Sequence, residues 1–108
     1  MEEIIERLNN KGGPYIVPDF HRGYGLIADR PYKKGEVITN YGGQLSTKPI
    51  SGDYVAYLSD GVYTDAAEEF HWRNKGRWIN ENKGKQNVIL GRCIRAARDI
   101  EAGEYLYN

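Results

Sequence analysis

Cysteine is nearly absent: Cys93 is the only one in 108 residues. A single thiol excludes a disulfide framework and a multi-cysteine zinc site, and its plainest expectation is a small buried hydrophobe in a reducing compartment. Histidine is almost as scarce. His21 and His71 lack partners at metal-ligand spacing, so no metal site is expected. Neither sign of charge is in excess, with 15 basic against 15 acidic residues. That balance speaks against a dedicated nucleic-acid module, which carries a basic surplus, and no direct nucleic-acid binding is expected. Long apolar runs are missing too. No segment approaches the roughly 18–20 apolar residues of a membrane helix, and Met1–Leu8 (MEEIIERL) is too acidic for a signal peptide. The expectation is a soluble intracellular protein with no membrane partner.

Glycine and tyrosine are plentiful instead, 13 and 9 of them. Glycine at this density, between aromatic and β-branched residues, favours short strands joined by tight turns. The length suits one modest core. The first ten residues put Ile4, Ile5 and Leu8 on one face of a short helix, which Asn9-Asn10-Lys11-Gly12-Gly13-Pro14 stops. Strands are expected at 15–17, 25–28, 36–41, 54–58, 62–64, 88–90, 93–96 and 105–107, with hairpin turns at Asp60-Gly61 and Gly91-Arg92. A second short helix is expected over Ala66–Trp72. The fold class is mainly β: several small sheets of short strands with one or two short helices. It divides into a helix and linker over 1–13 and one β domain over 14–108.

The stretch from Ala28 to Ile38 (ADRPYKKGEVI) is echoed from Ala96 to Leu106 (AARDIEAGEYL). Both run strand, charged turn, Gly-Glu, strand, and the glycine supplies a turn conformation that other residues resist. Either copy alone is an ordinary turn. Two in so short a chain point to pseudo-symmetry, at a spacing that fits no solenoid.

Two segments carry chemistry. Gly23-Tyr24-Gly25 lacks the third glycine and following helix of a dinucleotide fingerprint. It offers an aromatic residue whose backbone can approach a ligand closely. Asn74–Asn82 (NKGRWINEN) gathers amides, an arginine and a tryptophan in a strand-rich chain. Its plain reading is a solvated basic loop anchored by Trp78 and Ile79, and its functional reading is a ligand site.

In order along the chain, Arg22–Ala28 (RGYGLIA), Lys34–Gly43 (KGEVITNYGG), Asp53–Leu58 (DYVAYL), Tyr63-Thr64-Asp65-Ala66, Arg77-Trp78-Ile79-Asn80 and Ala97–Glu104 (ARDIEAGE) resemble the SET domain. This is the β-clip fold of S-adenosyl-L-methionine-dependent protein lysine methyltransferases, and the likeness runs from about residue 14 to the end. It implies a methyl donor, S-adenosyl-L-methionine, on one face and a target lysine on the other, joined by a narrow channel. Transfer by in-line displacement needs a neutral amine held close to the methyl carbon. A dry aromatic channel lowers the amine's pKa, and tyrosine suits its walls. By position, the resemblance assigns Gly23, Tyr24, Tyr54, Arg77, Asn80 and Glu81 to the donor. It gives Tyr54 a catalytic place between donor and lysine, and assigns Tyr57, Asp65 and Ala66 to the substrate peptide. The implied substrate is a protein or peptide lysine such as a histone tail, and the implied setting is chromatin in the nucleus.

The likeness has departures. Glu81 and Asn82 stand where the family has His-Ser after the asparagine, and Lys83–Asn87 replaces a Cys-x-Pro-Asn with only Asn87 matching. The family's terminal tyrosine, its strongest catalytic candidate, falls one or two places past Asn108, so the C-terminal end reads as truncated. The leading expectation is a lysine methyltransferase core, incomplete as given. The alternative is a catalytically inactive SET-like domain that holds a peptide or partner. A third reading is a β-clip module for a carbohydrate or other ligand.

Overall fold

The amphipathic start folds as helix α1, Glu2–Asn9, which buries Ile5 and Leu8. Glu2 and Glu3 sit in its first turn and Arg7 in its last, the arrangement the helix dipole favours. Asn9 then redirects the chain: its Nδ2 donates to the Ile16 carbonyl (2.9 Å) and its Oδ1 accepts from the Ile16 N–H (2.8 Å). The computed structural model describes residues 2–20, 22–41, 44–52, 55–58, 61, 63–65 and 75–108. Among these, nine short strands follow α1: β1 (Tyr15–Asp19), β2 (Gly23–Ile27), β3 (Val37–Asn40), β4 (Gln44–Ser46), β5 (Val55–Tyr57), β6 (Tyr63–Asp65), β7 (Val88–Ile89), β8 (Cys93–Ala96) and β9 (Tyr105–Leu106). They form three antiparallel sheets of three strands, ordered β1-β2-β9, β3-β8-β7 and β4-β6-β5. The expected mainly-β class with several small sheets is what is found.

Leu26, Ile94 and Leu106 are wholly buried, with Leu58, Ile16 and Ile100 close behind. Each such side chain stabilises the fold by about 1.5–3 kcal/mol relative to exposure. Ile16, Leu26 and Leu106 come from the first sheet, Ile94 from the second, and Leu58 directly follows β5 of the third, and one core joins them. The β7–β8 hairpin forms as expected, with Val88 opposite Ala96 and Ile89 opposite Arg95. Strand β4 is unforeseen by pattern: Leu45, its single apolar residue, is 43% exposed, and pairing with β6 holds the strand. Cys93 corrects an expectation, since its thiol is exposed rather than buried. Along β8 the side chains alternate, so Ile94 and Ala96 face inward while Cys93 and Arg95 face out. The helix expected over Ala66–Trp72 lies outside the described residues, as do His21 and His71; a 3-10 helix occupies Lys75–Trp78.

The sequence echo becomes a reciprocal brace. Tyr32 and Ile100 exchange both backbone hydrogen bonds, at 2.9 and 2.8 Å. The Ala28 N–H donates to the Glu104 carbonyl (2.8 Å) and the Ala96 N–H to the Glu36 carbonyl (3.0 Å). Gly103 returns a bond to the Ala28 carbonyl and Gly35 to that of Ala96, both at 2.8 Å. These two glycines hold φ of +86° and +88°, left-handed values that a side chain resists. Arg30–Glu36 (3.2 Å) and Arg98–Glu104 (3.0 Å) are matching ion pairs. Each copy thus closes the other.

Candidate functional site

The 3-10 helix packs so tightly on the end of β3 that glycine is required at Gly76. A Cβ there would lie 2.6 Å from the Tyr41 Cα and 3.1 Å from the Asn40 carbonyl oxygen. Beside it Lys75 is buried, and its Nζ donates to the carbonyls of Gly12 and Pro14, tying the linker after α1 to this helix. Burial pulls the Lys75 ammonium below the usual lysine pKa. Arg77 is buried with its guanidinium 4.9 Å over the Trp78 ring. Trp78 in turn meets Tyr24 edge to face, with ring centres 6.2 Å apart at 88°. Four consecutive buried residues overturn the solvated-loop reading.

Asn80 follows directly. Its Nδ2 donates to the Tyr24 carbonyl (3.0 Å) and to Asp19 Oδ2 (3.0 Å), so it joins the Gly23-Tyr24-Gly25 segment to the end of β1. Gly25 leaves space for this: a Cβ there would sit 3.1 Å from that nitrogen and 3.2 Å from Asp19 Oδ2. The C-terminal residues run parallel to this segment. Asn80 bridges Tyr107, the Asn108 N–H donates to the Asn80 carbonyl (3.1 Å), and the Asn82 N–H donates to the Asn108 carbonyl (3.0 Å).

Asn80 also lines a cavity of about 430 Å³, walled by Tyr41, Val55, Ala56, Tyr57, Arg77 and Ile79, together with Glu81, Leu90 and Asn108. It brings together Tyr57, Arg77, Asn80 and Glu81 of the expected site residues. Gly23 and Tyr24 open the adjoining strand β2 rather than forming a loop, and are reached through the Asn80 amide. Tyr57 is 63% exposed and packs against Tyr63, ring centres 4.9 Å apart. Asp65 closes β6, paired to Gln44 and Val55. Tyr54 and Ala66 lie outside the described residues. No group of three or more His, Cys, Asp or Glu capable of holding a metal occurs among the described residues.

Sequence reasoning missed Asp19, Asn87 and Tyr107. Asp19 is 6% exposed, and the Tyr107 hydroxyl donates to its Oδ2 at 3.1 Å. Burial first, then the Asp19 carboxylate, pushes the Tyr107 phenol above the usual tyrosine range. Buried Asn87 binds the Tyr105 carbonyl and the Tyr107 N–H, each at 2.8 Å, and so secures the last strand. The only signal for Asp19 was an acidic residue four places ahead of Gly23.

A family model described as the SET domain matches residues 23–108. N-lysine methyltransferase KMT5A-A of Danio rerio is 30% identical over 109 residues, which cover 79% of this chain and 31% of that protein. The crystal structure of CpSET8 from Cryptosporidium superposes with a TM-score of 0.70 at 26% identity, covering 93% of this chain and 58% of that one. The chain therefore spans about a third of the curated relative. No helix among the described residues is long and apolar enough to cross a membrane. Because the family match starts at Gly23 and runs through Asn80 to the last residue, it covers the segments that meet at the cavity, and the chain belongs to the SET domain family.

Proposed function

We propose that this chain is the catalytic domain of a protein-lysine N-methyltransferase that uses S-adenosyl-L-methionine, with a protein tail such as that of a histone as substrate and chromatin in the nucleus as its setting. One observation carries the reading. Asn80 links the glycine segment, whose Tyr24 carbonyl it binds at 3.0 Å, to a cavity that also holds Arg77, Glu81 and Tyr57. The chemistry of these groups fits the donor's amino-acid end. The Asn80 side-chain oxygen, Oδ1, suits an ammonium and Arg77 suits a carboxylate. Gly23 lets the Tyr24 backbone approach, and Glu81 stands at the cavity where the family has histidine.

When bound, the donor supplies an electrophilic methyl carbon on sulfur. The chain's residues hold the target amine in line with it and keep water out. Tyr57 and its partner Tyr63 offer an aromatic wall to a lysine's aliphatic stem. A dry aromatic surround disfavours the ammonium, so the nitrogen keeps the lone pair it needs. Tyr54, one residue before the cavity-lining Val55, is assigned the wall between donor and amine, and Asp65-Ala66 the edge along which the peptide lies. The name of the curated relative, an N-lysine methyltransferase, supports lysine as the acceptor.

The test is incubation with labelled donor and a lysine-rich peptide, alongside calorimetric titration with S-adenosylhomocysteine. Label should enter the peptide and the product analogue should bind. Binding without transfer would remove catalysis and leave a peptide-holding domain. Absence of binding would overturn the donor assignment.

A further inference from the structure

We propose that Asp19 is a positioning residue that fixes which atom of Asn80 faces the methyl donor; this rests on reading Asn80 as a donor-site residue. Asp19 ends β1, opposite Gly23 in the β1–β2 ladder, and is 6% exposed. Polar oxygens so buried need hydrogen-bond partners. Here Oδ2 accepts from Asn80 Nδ2 (3.0 Å) and from the Tyr107 hydroxyl (3.1 Å), and Arg22 Nη1 lies 4.0 Å from Oδ1.

The consequence falls on Asn80. Its amide nitrogen carries two protons, taken by Asp19 Oδ2 and the Tyr24 carbonyl, each at 3.0 Å, with the Arg22 carbonyl a longer third acceptor at 3.5 Å. A charged carboxylate and a peptide carbonyl accept and never donate. Turning the amide over would set its oxygen against both, so the amide has one orientation, with Oδ1 left to accept from a ligand. A ligand group that meets it must be a donor, such as the ammonium of an amino-acid moiety. Gly25 permits the arrangement, since an added Cβ would crowd both side chains, lying 3.1 Å from Asn80 Nδ2 and 3.2 Å from both Cβ and Oδ2 of Asp19.

Replacement of Asp19 by asparagine keeps the shape but can turn an N–H toward Asn80, which frees the amide to reverse. Two ligands report on it: S-adenosylhomocysteine, which carries the amino-acid end, and 5′-methylthioadenosine, which lacks it. In Asp19→Asn the first should bind about ten-fold or more weakly, the worth of one hydrogen bond to a charged group, while the second changes less than about two-fold. In the unliganded protein, the Asn80 side-chain amide signals should shift in proton–nitrogen spectra. Gly25→Ala, which crowds the same pair without altering charge, should give the same selective loss and serves if Asp19→Asn does not fold. Equal loss for both ligands, or no loss for either, overturns the assignment. If the wild-type protein binds neither ligand, the donor-site reading fails and this one falls with it. Wild-type binding with unselective variants sinks the Asp19 role alone.

Discussion

In the brace, Arg98 and Glu104 meet 3.0 Å apart with half of the arginine side chain in solvent, and Arg30 and Glu36 repeat the pair. Around Asn80, Lys75, Arg77 and Asp19 are all buried, and Arg77 and Asn80 reach a cavity. Arginine, carboxylate, tyrosine and glycine build both places. A cleft of about 530 Å³ lies at the brace, roomier than the 430 Å³ at Asn80. Its Glu36, Asp99 and Glu104, however, already accept from the N–H groups of Lys33, Lys34 and Glu101. Size does not mark the site. Polar groups that the fold has buried at a cost beside a cavity do.

If that distinction holds, variants at the wall of the site should disturb ligand binding together with stability, and variants in the brace should touch stability alone. The largest effect belongs to Gly76→Ala, whose new Cβ cannot coexist with the Tyr41 backbone at 2.6 Å. We expect a loss of about 3 kcal/mol, a Tm fall of more than roughly 10 °C, and loss of S-adenosylhomocysteine binding. Thermal melts and calorimetry check it; a near-normal Tm would show the wall to be as yielding as the surface. Next comes Lys75→Met, which keeps the stem but withdraws the donors from the Gly12 and Pro14 carbonyls. It should cost about 2 kcal/mol in urea unfolding, with weaker ligand binding because the helix leading to Asn80 loses its anchor.

Tyr32→Phe tests the brace by pH. Burial, then the hydroxyl's bond to Asp29, holds the Tyr32 phenol well above the usual tyrosine range. The folded state therefore keeps this proton when the unfolded chain has lost it. Its contribution is complete below about pH 10 and declines as pH rises beyond that. Urea midpoints taken across the alkaline range should fall for the wild type and less steeply for Tyr32→Phe, with affinity for S-adenosylhomocysteine unchanged at neutral pH. The smallest effect is expected for Arg98→Ala. An exposed pair contributes less than about 1 kcal/mol, and salt should erase the difference from wild type. A drop in ligand affinity for either brace variant would break the division between the two regions.

Much of this was legible before any coordinates. The glycine spacing and alternating apolar residues foretold short strands, and the doubled Arg-x-x-x-x-Gly-Glu turn foretold symmetry. The resemblance assigned Gly23, Tyr24 and Asn80 to one donor, and the Asn80–Tyr24 hydrogen bond joins the two segments. What escaped was whatever depends on partners distant in sequence. Strand β4 exists through pairing with β6, Asp19 through Asn80 and Tyr107, and Asn87 through the strand it secures. Cys93 misled for a related reason. A thiol carries no periodic signal of its own, and the inward places on β8 had already gone to Ile94 and Ala96.

The reciprocity of the brace also bears on how the chain reaches this state. Lys34 and Asp99, hydrogen-bonded at 2.9 Å, stand 65 residues apart in sequence. Neither turn can complete its bonds until the other arrives, so the first copy waits for the second, some 65 residues later, to be made. Closing so long a loop is an entropic step that returns its enthalpy only at the end, which makes for slow, all-or-none folding. Every cavity-lining residue except Asn108 lies inside that loop. A cut anywhere before Glu104 should thus cost the cavity along with the second copy, since closing the brace is what draws the ends of the site's own chain together.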